Sequence, residues 1–573
     1  MKKSLHTTAI KTLFTVICFG CTFLGYGQAT DSSTWTITAP ATTPAWNNGV
    51  PTATTAAVIA APFTSGGTGI TAYSLTVTNN TTVIISSGDT VTLNGALTVE
   101  TGSSVTFNNN ANLIQGGTTN SNSGVITMKR NSSALKRLDY TLWSSPVTGS
   151  QTLLNFSPMT LTNRFYTYTT YEAIVPPATS SNTNLYTLVD PATTNFAPAK
   201  GYLIRMPNNH PTTATNWEGQ FTGVPNNGDY SYVMVDGGAG NRLNLVGNPY
   251  PSPLNVTDFV AANSANITGT LYFWRKTNNI LSPSYCSWSS LGFTSNGDAE
   301  AFDLNGVIQT GQGFFVEGTG NGTTLNFNNT MRVDNHANQF FRNANVTNTV
   351  ESNRIWLNAT SATGAFSQAL IGYCTNATQG ADVGIDGRYI NDGDIALTSL
   401  IGTIPYAIQG RALPFDASDI VPLNFKATTA GNYTIAIDHV DGLFTGNTQA
   451  IFIKDNLNGA YHNLSNGPYT FASAAGTFAN RFEIVYQTLL GTPNNHFNSN
   501  TMVVYHQEHD VVINTGTTMM GTARLYDISG RLLIERKGIN ASETRINMGV
   551  SNQVLLVEVT TVDGAKATKK IVN

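Results

Sequence analysis

Through most of the chain apolar residues alternate with Thr, Ser or Asn, as in Leu75-Thr-Val77, Thr82-Val-Ile-Ile85, Thr90-Val-Thr-Leu93 and Leu97-Thr-Val99. A period of two puts successive apolar side chains on one face of a pleated strand. Beyond residue 25, no long stretch repeats apolar residues at i, i+3, i+4 and i+7, the mark of an amphipathic helix. The pattern predicts an all-β protein of many short strands. Between residues 73 and 118 it also repeats with an offset of 22. Leu75 matches Leu97, Val77 matches Val99, Val83 matches Val105, Ile85 matches Phe107 and Val91 matches Leu113. Each unit holds three short strands. That is the arithmetic of a β-solenoid coil, whose inner face is buried only by stacking on the next coil. A hairpin series in accidental register is the alternative.

Residues 28–128 are therefore read as a solenoid-like region. Its leading part, 28–72, is rich in Thr, Ala and Pro and carries Trp35 and Trp46. Residues 129–345 bring dense aromatics between turns such as Gly247-Asn-Pro-Tyr-Pro-Ser252. They predict a β-sandwich or jelly roll, with one short helix within Pro253–Asn263. After a polar break at 346–350, residues 351–488 alternate again at Arg354–Leu357, Tyr433–Ile437, Ala450–Ile453 and Arg481–Tyr486, predicting a second sandwich. Residues 491–500 have the composition of a linker. In residues 501–573, runs at Met502–Tyr505, Val511–Ile513, Ala523–Tyr526, Leu532–Ile534, Arg545–Met548, Val554–Val559 and Thr568–Val572 predict a small Ig-like sandwich.

Composition sharpens this picture. Charged residues make up 11% of the 573, against about 25% in a typical soluble domain. Thr, Asn, Ser and Gly supply the missing polarity. Lys2, Lys3 and Lys11 accompany an apolar run from Thr12 to Leu24, followed by Gly25, Gly27 and Ala29. That is the form of a secretory signal peptide over residues 1–27, too short to span a bilayer. Cys21 sits in a poor lipidation context. Losing three lysines takes the net charge from −4 to −7, which leaves no basic footprint for nucleic acid. No later segment reads as a transmembrane anchor. Cys286 and Cys374 remain. They are too few for a disulfide scaffold or a Cys-based zinc site, and are read as unpaired.

Catalytic motifs are missing from the sequence. It has no Gly-x-Ser-x-Gly elbow and no phosphate loop. His506-Gln-Glu-His509 has the wrong spacing for a zincin and follows a strand-like run. Asp298, Glu300 and Asp303 form the tight acidic cluster of the aromatic-rich region and are read as a solvated loop. Asp382, Asp386, Asp392 and Asp394 occupy a Gly-rich loop that suits Ca²⁺ or ordinary Asp-Gly turns; no other cofactor is implied. Trp143, Trp217, Trp274 and Trp288 are either a sugar-stacking platform or sandwich core.

The last unit adds a resemblance. It carries Tyr526-Asp-Ile-Ser-Gly-Arg-Leu-Leu533, Asn540-Ala-Ser-Glu-Thr-Arg-Ile546, Asn552-Gln-Val-Leu-Leu-Val557, and Asp563-Gly564 followed by Thr568-Lys-Lys-Ile-Val572. In this order the elements resemble the sorting domain of type IX secretion substrates, closest to the type C variant. The Gly-apolar-Tyr element of type A is lacking. The resemblance implies passage through the periplasm and then the outer membrane by the type IX translocon or shuttle, to the cell surface or medium. It also implies a recognition surface of Asp527, Ser529, Gly530, Arg531, Asp563, Gly564, Lys569 and Lys570. A solvated edge strand accounts equally for the two lysines. Upstream wording such as Gly311-Gln-Gly-Phe-Phe315 is similar to modules of flavobacterial exported proteins. The expectation is a non-enzymatic surface protein, structural or adhesive. Alternatives are a carbohydrate-binding protein meeting polysaccharide or extracellular matrix, or a hydrolase whose acids converge only in three dimensions.

Overall fold

A computed structural model describes residues 29–169, 186–236, 242–275, 281–298, 306–334, 351–487, 497–499, 501–516, 518–549, 553–562 and 564–572. The expected signal peptide, most of the expected linker, Glu300, Asp303 and Asp563 lie outside them. The described chain is all-β, with short helices such as Leu153–Phe156 and Val256–Ala262. The second falls within the predicted helical stretch, and the side chain of Asn255 caps it by accepting from Asp258 N. The chain forms two compact units. One holds residues 1–416, 422–449 and 467–480; the other holds 417–421, 450–466 and 481–573.

The first unit begins as a three-sided parallel solenoid. One side stacks Thr55–Ile59, Ser74–Val77 and Leu97–Val99. A second stacks Phe63–Thr64, Thr82–Ile85, Ser104–Phe107 and Ile126–Asn131. The third stacks Ile70–Ala72, Thr90–Leu93 and Asn112–Gln115. All five pairs of the 22-residue repeat are in-register neighbours. Val77, Val83, Ile85, Val91, Leu97, Phe107 and Leu113 point inward with no exposed surface. The coil before the repeat went unread in the sequence. There Ala57 stacks on Leu75, Phe63 on Val83 and Ile70 on Val91, with offsets shorter than 22 that drift along the coil.

The coil corners recur as well. Asn80 and Gly102 stack at one corner with positive φ (51° and 90°), and Gly124, which lies beside Val99 in the last turn, also has positive φ (80°). Glycine adopts this left-handed geometry without cost and asparagine tolerates it. Trp35, Trp46 and Phe63 pack edge to face over the first coil.

The stack ends by changing direction. Ile126–Asn131 runs parallel to Ser104–Phe107 but antiparallel to Glu218–Pro225, which in turn pairs with the two-residue strand Val147–Thr148. The solenoid thus shares one core with the aromatic-rich region, from Ala57 through Phe107 to Trp143 and Phe327. Arg332 seals the junction. Its guanidinium donates to Ser252 Oγ, Asn227 Oδ1, Asn329 Oδ1 and Leu113 O. It also lies over the Tyr250 ring.

The aromatic-rich region builds two larger sheets, beside the two-stranded pairs Tyr230–Val233 with Thr324–Phe327 and Leu254–Asn255 with Val307–Ile308. One is ordered Tyr140–Trp143, Tyr202–Arg205, Phe165–Tyr168 and Tyr186–Leu188; the other Leu243–Gly247, Gly313–Gly318, Ile267–Trp274, Tyr285–Ser289 and Gly292–Thr294. Next comes a broad sheet ordered Ile395–Ile401, Ile404–Ala412, Phe366–Cys374, Ser352–Ser361, Gly431–Val440 and Tyr469–Ser473. Phe366–Cys374 and Ile404–Ala412 run parallel.

The second unit contains the hairpin Phe452–Asp455 with Ala460–Asn463 and a C-terminal module of two sheets. Val503–Gln507, Asp510–Asn514 and Glu543–Asn547 form one; Leu532–Ala541, Met520–Asp527, Val554–Thr561 and Lys566–Val572 form the other, in that order. Each of the seven predicted runs overlaps one of these strands. Met502, Val511, Ile513, Met520, Leu525, Leu555 and Val557 make a core belonging to the module alone.

Candidate functional site

The C-terminal module carries the most defined surface element. In the turn after Met520–Asp527, the Asp527 carboxylate accepts from Ser529 N at 2.9 Å, Arg531 N at 3.0 Å and Arg531 Nε at 3.0 Å. The backbone closes with Asp527 N to Arg531 O and Gly530 N to Asp527 O, both 3.0 Å, and Gly530 has φ +79°. These N–H donors, led by Arg531 N, hold the Asp527 carboxyl below its ordinary pKa. The result is a pre-formed knob. Ile528 stands at its tip, 73% exposed, outside the residues that the sorting resemblance implies. Its signal was an apolar residue inside an otherwise polar turn.

Lys569 and Lys570, read from the sequence as one surface, divide between two faces because neighbours on a strand point oppositely. Lys569 reaches back to donate to Met502 O at 2.6 Å, tying the last strand to the first sheet. Lys570 is exposed. Gly564, φ +90°, donates to Thr561 O in the turn before that strand. His506 and His509 are exposed around the hairpin turn between Val503–Gln507 and Asp510–Asn514.

The four tryptophans do not assemble into a platform. Trp143 has no exposed surface and packs edge to face with Phe156, Trp217 and Phe221. Trp217 packs on the same core, and Trp288 is buried in its strand. Strands aim Trp143 and Trp288 inward, and Trp217, just before its strand, is half-buried against Trp143 and Phe156, so the sugar-platform reading is corrected for these three. Trp274 is half-buried on the opposite sheet face, in a herringbone with Tyr186 and Tyr285 at ring distances of 5.8 and 5.4 Å. Tyr186 and Tyr285 join hydroxyls at 2.8 Å, and burial raises both pKa values above the ordinary phenol.

The acidic loop disperses its carboxylates. Asp382 accepts from Thr378 N and Oγ1. Asp386 accepts from Asp382 N and Gly410 N, both at 2.6 Å. Asp392 accepts from Ser284 N and Oγ. The Asp394 carbonyl receives Thr428 N. Lone pairs spent on N–H and O–H donors are those a calcium ion would need, and the four side chains do not converge. Among the described residues no group of three or more His, Cys, Asp or Glu is placed to hold a metal. Burial raises Asp386 to about 6. Cys286 and Cys374 are free and buried, and burial pushes the Cys286 thiol up to about 12. No helix among the described residues is long and apolar enough to cross a membrane.

No curated protein matches the chain. Among solved structures, a central fibronectin-III array of RIM-binding protein aligns with 11% identity over 33% of this chain and 91% of its own, with a TM-score of 0.12. Salmonella alpha-2-macroglobulin reacted with methylamine aligns with 8% identity over 78% of this chain and 33% of its own, with a TM-score of 0.10. Family models cover nearly all of the sequence: residues 490–573 match the domain of unknown function DUF8694, and residues 29–486 match the domain of unknown function DUF8693, the family to which this chain belongs.

Proposed function

We propose that this chain is an exported, non-enzymatic surface or extracellular protein, structural or adhesive in role. In this reading the type IX secretion system delivers it, with the C-terminal module as sorting domain. The observation that carries the reading is that module: a seven-strand sandwich with its own apolar core, bearing the rigid knob Asp527–Arg531. An exporter that reads a folded tail needs a tail that keeps its shape whatever precedes it. A stacked solenoid leading into broad sheets suits a part that presents surface rather than a reaction cleft.

The test is removal of residues 490–573 from the full-length gene in its native host, followed by cell fractionation. The shortened protein should accumulate in the periplasm. Its normal appearance on the cell surface or in the medium would end the sorting reading.

A further inference from the structure

A groove of about 460 Å³ opens where the solenoid hands over to the aromatic-rich region. Its walls come from Val125 before the last solenoid strand, from Thr148 to Gln151 with Asn155, and from Thr222 to Val224. The wall is fixed by one side chain. Gln151 Nε2 donates to Gln220 O at 2.8 Å, while its Oε1 accepts from Thr222 N at 3.0 Å. The loop is thereby stitched to the edge of Glu218–Pro225, as a paired strand would be. Thr148 Oγ1 donates to Asn226 Oδ1 at 2.6 Å. The floor is bare backbone: a Cβ on Gly223 would fall 2.6 Å from Thr148 O.

None of the lining residues is charged or titratable. A charged ligand entering the groove would lose water and find no counter-charge. The lining holds no carboxylate, imidazole, thiol or amine, the usual groups of acid–base chemistry, which favours a binding role for the groove. What it offers is hydroxyl and amide groups. Ser150, Asn155 and Thr222 are exposed, and their side chains have no hydrogen-bond partner among the described residues. Beside them lie the methyls of Val125, itself 54% exposed, and Val224. Hydroxyls and amides next to small apolar patches match a ligand that alternates O–H with C–H. An added peptide strand fits less well, because Val147–Thr148 is only two residues long and gives too short a ladder.

We propose that this groove is a binding site for a neutral saccharide. The proposal goes beyond the export reading and does not depend on it, since binding is measured on purified protein. The experiment titrates the purified mature chain, by calorimetry, with neutral gluco-, manno- and xylo-oligosaccharides, and with oligouronates as acidic counterparts. At least one neutral series should bind, and the acidic ones should not. Thr222→Val keeps shape and strand preference while deleting a hydroxyl; Ser150→Ala and Asn155→Ala delete exposed polar groups. Each should weaken binding about fivefold, the worth of one hydrogen bond, with circular dichroism unchanged. The proposal falls if no neutral oligosaccharide binds, if the acidic ones bind as well, or if the triple variant binds like the parent.

Discussion

Asp386 is a buried carboxylate, 5% exposed, held by two backbone N–H groups. Desolvation outweighs those donors and, with the Asp382 charge raising the pKa further and Arg411 opposing, lifts it to about 6. An unfolded aspartate titrates near 4, so the fold holds this proton more tightly than the open chain does. The associated stabilisation is complete below about pH 4 and is lost as pH rises through about 6. This group should therefore cost its unit roughly 2–3 kcal/mol of unfolding free energy between pH 4 and pH 7. Urea unfolding across that range should reveal the slope, and Asp386→Asn should lack it. An equal slope in the variant would assign the effect elsewhere. None of this was readable locally. The spacing of Asp382 to Asp394 marks an acidic loop, but the directions of the Asp386 and Asp392 carboxylates depend on Gly410 and Ser284, which come from other parts of the chain.

At the scale of the element, the solenoid stands or falls by its corners. Gly124 combines φ +80° with a neighbour that leaves no room: an added Cβ would lie 1.9 Å from Val99 O. Gly124→Ala should destabilise the first unit by roughly 2–4 kcal/mol, through strain that neither backbone can relieve. A shifted denaturation midpoint would register it. The middle coils were legible because Leu75, Val77, Val83, Ile85 and Val91 recur as the same class of residue at constant spacing. The first coil was not, because its corners are shorter and its residues small, as at Ala57. The closing strand Glu218–Pro225 was also invisible. It alternates like many others, and only the folded chain brings it against Ile126–Asn131. For the tryptophans, the period of two fixed that Trp143 and its neighbour Leu142 face opposite ways, but not which of the two sheet faces would be covered.

For the whole molecule, the two lysines of the last strand separate staying folded from being recognised. Lys569 holds Met502 O, so Lys569→Ala should cost the C-terminal module about 1 kcal/mol. Lys570 faces outward, so Lys570→Ala should change stability by less than about 0.5 kcal/mol yet lower the exported fraction if that face is gripped in transit. Export and thermal unfolding measured on the same pair of variants check this. Equal effects of both on stability would contradict the assigned faces. The module's outline was readable because seven alternating runs fall in so short a span. The saccharide groove was not, since Val125, Ser150 and Thr222 are ordinary surface residues until the chain gathers them.

The reversal of strand direction at Glu218–Pro225 makes the solenoid a ruler with fixed ends. Trp35, Trp46 and Phe63 pack together at the first coil, and at the other end an antiparallel strand occupies the edge of the side that ends in Ile126–Asn131, so no further parallel coil strand can pair there. Length can change only by slipping a whole 22-residue turn between existing ones. Each inserted turn would move the two ends apart by one strand spacing, about 4.8 Å, and leave both caps as they are.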